Sequence, residues 1–439
     1  MRNGVGRNPE VARGLAAALC LAVNGGAAAS VAHASEAQRF WPQWRGPLGT
    51  GEAPYARPPV EWGEGRNVRW KVALPGEGKS TPVVWGDTLY LTTAVEAGTP
   101  AGAPAADRPL EFVALALDRA DGKERWRTAL RTERPHEGTH RDGSFAGGSA
   151  LTDGERVYAF FGSRGLYALG LDGKLLWQKD LGRMQTRNAF GEGSSPAVHD
   201  GTLVVNWDHE GGDFVAALDA RTGREKWRRE RDEPTTWATP HVVVHDGKAQ
   251  AVVGGTNRLI AYDLASGVTV WEAPGLTLNV IPSPVSANGL VYAMSGFRGH
   301  ALRAVRLSAA RGALSGPPGL AWSYDRDTPY VPSPLLYRDG LYFLKTNSGV
   351  LTRLDAQSGA RHYTERLDAV PNVYASPVAA DGRVYVVGRE GTTVVLAAGP
   401  RPQVLAVNRL DDAFDASAAL VDAELYLRGA RHLYRIEAR

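Results

Sequence analysis

Short runs of alternating apolar and polar side chains, split by Gly-, Asp- or Asn-containing turns, occur along most of this chain. TPVVWGDTLYLTT from Thr81, PSPVSANGLVYAMSG from Pro282, PSPLLYRDGLYFLKT from Pro332 and ASPVAADGRVYVVG from Ala375 all read this way. Period two with β-branched and aromatic residues around a tight turn predicts a hairpin. A second hairpin follows each first one, as in RLIAYDLASGVTVW from Arg258 and GLYALGLDGKLLW from Gly165. After Ser35, apolar residues rarely recur at spacings of three and four, so the reading is all-β.

The double hairpin recurs at roughly forty residues, the period of a propeller blade. Its anchors are Pro82, Ala150, Pro196, Pro240, Pro284, Pro334, Pro377 and Ala418, which gives eight units. Four short antiparallel strands per unit, stacked radially, predict an eight-bladed β-propeller over 66–439. The last unit, from Ala416, has only three strands before the chain stops, while RNVRWKVALPG at Arg66 to Gly76 stands upstream without partners. That segment is expected to supply the missing strand and close the ring. Trp70 occupies the register of Trp126, Trp177, Trp227, Trp271 and Trp322. A flat side chain repeated at one outer position is read as a wedge between blades.

Residues 1–34 resemble an export signal, with Arg2, Arg7 and Arg13 before an apolar run from Leu15 to Val23 and an A-x-A pattern at Ala32 to Ala34. Cleavage after Ala34 leaves 35–65 as an N-terminal extension. The run is too short for a comfortable transmembrane helix, although retention as an anchor is the alternative. Cys20 is the only cysteine, so a mature chain has no thiol or disulfide, and Leu19 before it suits lipoprotein processing poorly. A soluble periplasmic monomer is expected. Loss of three arginines and one glutamate with the signal takes the formal charge from +3 to +1. With no basic run interleaved with aromatics, nucleic acid is not an expected partner.

FVAALDARTGREKW at Phe214 to Trp227 resembles the pyrroloquinoline quinone (PQQ) enzyme-type propeller repeat. FWPQWRGPLGTG at Phe40 to Gly51 resembles the opening of exported PQQ-like repeat proteins grouped with the outer membrane protein assembly factor BamB. The resemblance spans roughly 40–439 and implies the fold, which dehydrogenases and scaffolds share. Quinoprotein alcohol dehydrogenases carry an adjacent Cys pair and capping insertions, and this chain has neither in its mature part.

Two sets of positions are expected to converge on one face of the central channel. Turns between second and third strands supply Arg164, Asn257, Arg258, Arg298, Asn347, Arg389 and Arg428; links entering the innermost strands supply Lys79, Glu192, Trp237, Asn279, Tyr330, Tyr374 and Asp415. Superimposed, they predict a funnel of guanidinium, amide and aromatic groups suited to a small anionic ligand. The competing reading pairs each Arg with Glu192, Glu390 or Asp415 to fix neighbouring blades. NWDHEGGD at Asn206 to Asp213 lacks spaced zinc ligands and a calcium-loop template, and is read as a solvated turn. Trp237, outside the repeated register, is either packing under its loop or a stacking platform. GEGKST at Gly76 to Thr81 and His140-Arg141-Asp142 match a phosphate loop and a kinase loop only superficially.

The first expectation for function is an exported, non-catalytic scaffold at the cell envelope, holding a partner protein or ligand without a cofactor or metal. The alternative is a quinoprotein oxidoreductase using PQQ and calcium, with Asp208 or Asp415 as candidate bases. Binding of a polyanion or sugar is a third reading. An exposed apolar β-edge favours the first, and a deep pocket with paired carboxylates the second.

Overall fold

Asp-Gly and Asn-Gly pairs set the innermost hairpins of blades 3, 4, 5 and 7. At Asp200-Gly201, Asp246-Gly247, Asn288-Gly289 and Asp381-Gly382 both residues have positive φ, from 43° to 76°, in two-residue loops. Such turns match the right-handed twist of the strands they join. The computed structural model describes Met1 and residues 36–98 and 108–438, so the expected signal segment lies outside the described residues.

The strands form eight antiparallel sheets arranged as the blades of a propeller. Blade 3 is representative, with strands Ala197–His199, Thr202–Trp207, Phe214–Asp219 and Glu225–Glu230 running from the centre outward. In blade 8, Val68–Ala73 pairs antiparallel with His432–Glu437, Lys71 opposite Tyr434. The ring therefore closes as expected, with the N-terminal strand outermost. Blade 4 departs from four strands. Gly312–Ala313, from the link before the outer strand of blade 5, adds parallel to Trp271 and Glu272.

Apolar clusters lie between neighbouring blades. Tyr158, Phe160 and Leu166 of blade 2, for example, share a cluster with Leu203, Val205 and Trp207 of blade 3. The outer tryptophans add a directed contact: Trp70, Trp126, Trp177 and Trp227 donate from Nε1 to the carbonyls of Arg119, Leu171, Ala220 and Leu264 on the following blade, at 2.8–3.1 Å. Their rings lie against Gly122, Gly173, Gly223 and Gly267, where any Cβ would stand within 2.5–2.8 Å of Trp or Val atoms. Trp271 differs and donates to Gln250 within its own blade.

The N-terminal extension packs beneath the innermost strands. Trp41 bridges Val84, the Pro42 carbonyl accepts from Thr152 N, and Gly51 and Ala53 bond Ala379. Arg45 is fully enclosed there and donates to the carbonyls of Pro334 and Pro377 at 2.9 and 2.8 Å. Burial pushes its pKa down to about 9. Among the described residues, no helix is long and apolar enough to cross a membrane.

Candidate functional site

Each innermost strand is preceded by a Ser or Thr directly before the anchor position, and these eight residues form a ring around the channel. The backbone N–H of Thr81, Ser149, Ser195, Thr239, Ser283, Ser333 and Ser376 donates to the hydroxyl of the corresponding residue one blade on, at 2.8–3.1 Å. The ring ends at Ser417, and Thr81 Oγ1 has no partner among the described residues. From below, Trp44 of the extension donates to Ser283 Oγ at 3.2 Å.

Above the ring is a cavity of about 570 Å³, with Trp44 and the hydroxyls of seven blades in its wall. This is within the size range of small-molecule sites, roughly 300–1,000 Å³. Its upper wall comes from the links entering the innermost strands: Lys79, Glu192, Trp237, Tyr330, Tyr374 and Asp415 all line it, joined by the loop around His140 to Ser144. Of that second set of positions, only Asn279 lies outside the lining; its Oδ1 accepts from Arg187 at 3.3 Å.

The charges at the mouth are engaged with one another. Lys79 Nζ donates to Asp415 Oδ2 and to the Asp142 carbonyl, both at 2.6 Å. Arg389 reaches Asp415 at 2.6 Å and Asp142 at 3.0 Å, and its guanidinium lies 4.2 Å over the Tyr374 ring. Tyr374 Oη donates to the second Asp142 oxygen at 3.3 Å, with His140 Nδ1 3.6 Å from it. Burial opposes ionisation of Asp142, yet Arg389, Tyr374 and His140 together hold its pKa below the usual carboxylate value. Glu192 accepts from Ser163 N, Ser163 Oγ and Arg164 Nη1 at 2.5, 2.6 and 2.9 Å.

The turn arginines and amides sit outside the cavity lining. Arg164 is buried against Glu192 and Glu133, and Arg258 pairs with Glu233 and Glu272. Arg428 is buried with Ser80 and the Thr92 carbonyl, its pKa pushed down to about 9 by desolvation. Arg298 lies exposed over Phe297, and Asn257 is an exposed turn residue. Asn347 Oδ1 accepts from Val331 N at 3.0 Å.

NWDHEGGD is not the solvated turn that its composition suggests. Asp208 and Arg231 are fully enclosed and 2.7 Å apart, with Thr236 Oγ1 also donating to Asp208. His209 Nδ1 accepts from two backbone N–H groups, and Glu210 pairs with Arg187. Asp213 accepts from Glu233 N, and burial raises its pKa.

Calcium takes six to eight oxygen ligands. Asp142, Asp415 and Glu192 are each engaged by Lys79, Arg389 or Arg164, so a cation among them would meet those positive charges at contact distance. The ligand atoms of His136, Glu137 and Glu192 come within 4.8 Å of one another, but Glu137 is occupied by Thr186 and Glu192 by Arg164. A calcium-dependent quinone site does not fit these residues. The residues missed by sequence reasoning are the hydroxyl ring, Trp44 and Asp142. Their signal was the Ser or Thr recurring before each anchor, and the His140-Arg141-Asp142 loop dismissed as a false kinase match.

An eight-bladed propeller of PQQ-like repeats is thus the class of molecule defined by the fold. More narrowly, the chain belongs to the family of the outer membrane protein assembly factor BamB, whose model matches residues 61–236, 110–274 and 211–438. BamB of Yersinia pestis is 28% identical over 204 residues, covering 44% of this chain and 48% of that protein. The match thus spans about half the length of the curated relative. The crystal structure of BamB from Moraxella catarrhalis superposes with a TM-score of 0.60 at 13% identity, over 85% of this chain and 97% of that one. Quinohemoprotein alcohol dehydrogenase from Comamonas testosteroni gives 0.61 at 13% identity, over 91% and 80%. These structural likenesses concern the fold alone.

Proposed function

We propose that this protein is an exported, periplasmic, non-catalytic scaffold that holds a partner protein during outer-membrane protein assembly, as the name of its family suggests. The observation that carries this reading is the outer edge of blade 7. Its last strand, Val404–Arg409, leaves Val404, Leu405 and Val407 at 51%, 38% and 56% exposure. The outer strands of blades 3 and 6, EKWRRE and RHYTER, carry charges along their length, which discourage strand addition. Blade 7 has no charge before Arg409 on this edge. The extension meets the end of this strand, where Gly63 bridges Arg409, Trp62 N donates to Asn408 Oδ1 and Asn408 Nδ2 donates to the Val60 carbonyl. Blade 4 shows that an outer edge here accepts an added strand, since Gly312–Ala313 occupies it. The partner segment is accordingly an uncharged, β-prone strand adding to blade 7.

Val407→Lys tests this, because it charges the edge without touching the core. In cells lacking the chromosomal copy, the parent protein is expected to restore outer-membrane barrel levels and the variant to fail, with unchanged melting temperature. Full restoration by the variant would remove blade 7 from the proposal. The quinoprotein alternative is tested by calorimetric titration with PQQ and calcium, where no saturable heat is expected.

A further inference from the structure

The funnel has a composition that the scaffold reading does not use. Seven hydroxyls on its floor each accept one backbone N–H, and none donates its own O–H to an acceptor among the described residues. A hydroxyl both donates and accepts, so this floor matches ligand groups that also do both. At the mouth, Lys79 and Arg389 balance Asp415 and Asp142 in direct contact. An anion would compete with both aspartates for their cations, and a cation with Lys79 and Arg389 for their carboxylates. Separating such pairs leaves a charge uncompensated in a partly buried site. A neutral polar ligand can hydrogen-bond to the outer lone pairs and N–H groups while the pairs stay intact.

The walls between floor and mouth are aromatic. Trp237 is held by its Nε1 bond to the Gly191 carbonyl at 2.7 Å, and Tyr330 stacks on Phe297 with centroids 5.0 Å apart. All three rings line the cavity. A sugar ring has an apolar face of C–H groups, which suits the negative face of an aromatic ring, and a rim of hydroxyls that donate and accept. At the lower end Trp44 of the extension stands in the cavity wall, bonded to Ser283.

We propose that this funnel binds a neutral carbohydrate, with Trp237 and Tyr330 stacking on sugar faces, Asp142, Asp415 and Lys79 bonding sugar hydroxyls, and the Ser/Thr ring receiving the inner end. It is independent of the blade 7 edge and of the scaffold role.

The test is calorimetric titration of the purified protein with cellobiose, maltose and N,N′-diacetylchitobiose, with glucuronate and glucosamine as charged counterparts. At least one neutral disaccharide is expected to bind saturably with a millimolar or lower Kd, at least tenfold tighter than either charged sugar. Trp237→Ala is expected to weaken it tenfold or more. Trp237→Phe, which keeps a stacking face, is expected to stay within about threefold, separating stacking from loss of fold. Three results would overturn the proposal. These are no saturable binding by any of the three disaccharides up to about 10 mM, a charged sugar binding as tightly as the best neutral one, or Trp237→Ala binding like the parent.

Discussion

Gly267 and Trp227 show how a single contact holds one blade to the next. Gly267 has φ of +71°, and a Cβ on it would stand 2.5 Å from Trp227 Cδ2. Gly267→Ala therefore meets left-handed strain and displaces an indole whose N–H is bonded to Leu264. A loss of about 3 kcal/mol is expected, read as a lowered urea midpoint. Gly212→Ala is the control. A Cβ there meets nothing within 4 Å, and a change within about 0.5 kcal/mol is expected. The arginines follow a different rule. Arg164, Arg258 and Arg389 occupy turn positions that converge toward the channel, yet each carries its own carboxylate, so their charge is used between loops.

The extension is a structural element of its own, and its seat on blade 4 is expected to respond to pH. His241, in strand His241–His245, lies beside Gly49, whose Cβ would be 3.0 Å from the imidazole, and its Nε2 is 2.7 Å from Ser286 Oγ. Burial pushes the His241 pKa down to about 4. The unfolded chain takes up this proton as pH falls through about 6.5, while the folded protein does not until about 4. Stability is thus full above pH 6.5 and declines from there to pH 4, by roughly 3 kcal/mol for this group. A melting temperature that drops across that window, with a smaller drop in His241→Gln, is the expected outcome. A His241→Gln profile matching the parent's would assign the decline to other groups.

The ring is held together at one seam. Val68–Ala73 is the outer strand of blade 8, and Trp70 continues the inter-blade contacts by donating to Arg119 of blade 1. The largest apolar cluster gathers there, combining blades 7, 8 and 1 with Trp41 and Trp62 of the extension. Deleting residues 66–76 exposes the edge of His432–Glu437 and cuts the link to blade 1. Oligomers by size-exclusion chromatography and a lower melting temperature are expected, since an open edge recruits other strands. A monomer with the parent's melting temperature would contradict the role of this seam.

Blade number, hairpin turns and the closing strand were legible because they depend on local spacing: period two, Asp-Gly and Asn-Gly pairs, and a Trp at one register. Links entering the innermost strands were legible for the same reason, and six of the seven named positions reach the cavity. The rest depends on distances across the ring. Whether Arg389 meets Asp142, 247 positions away, or Trp44 meets Ser283, 239 away, is set by how the blades close and where the extension crosses beneath them. Thus the repeat by itself determined the architecture, through hydrogen bonds and packing between near neighbours. Only the tertiary structure decided that Trp44 enters the channel wall, that the channel's charges are mutually paired and that its floor is a ring of hydroxyls, because each requires groups distant in sequence to meet on one axis.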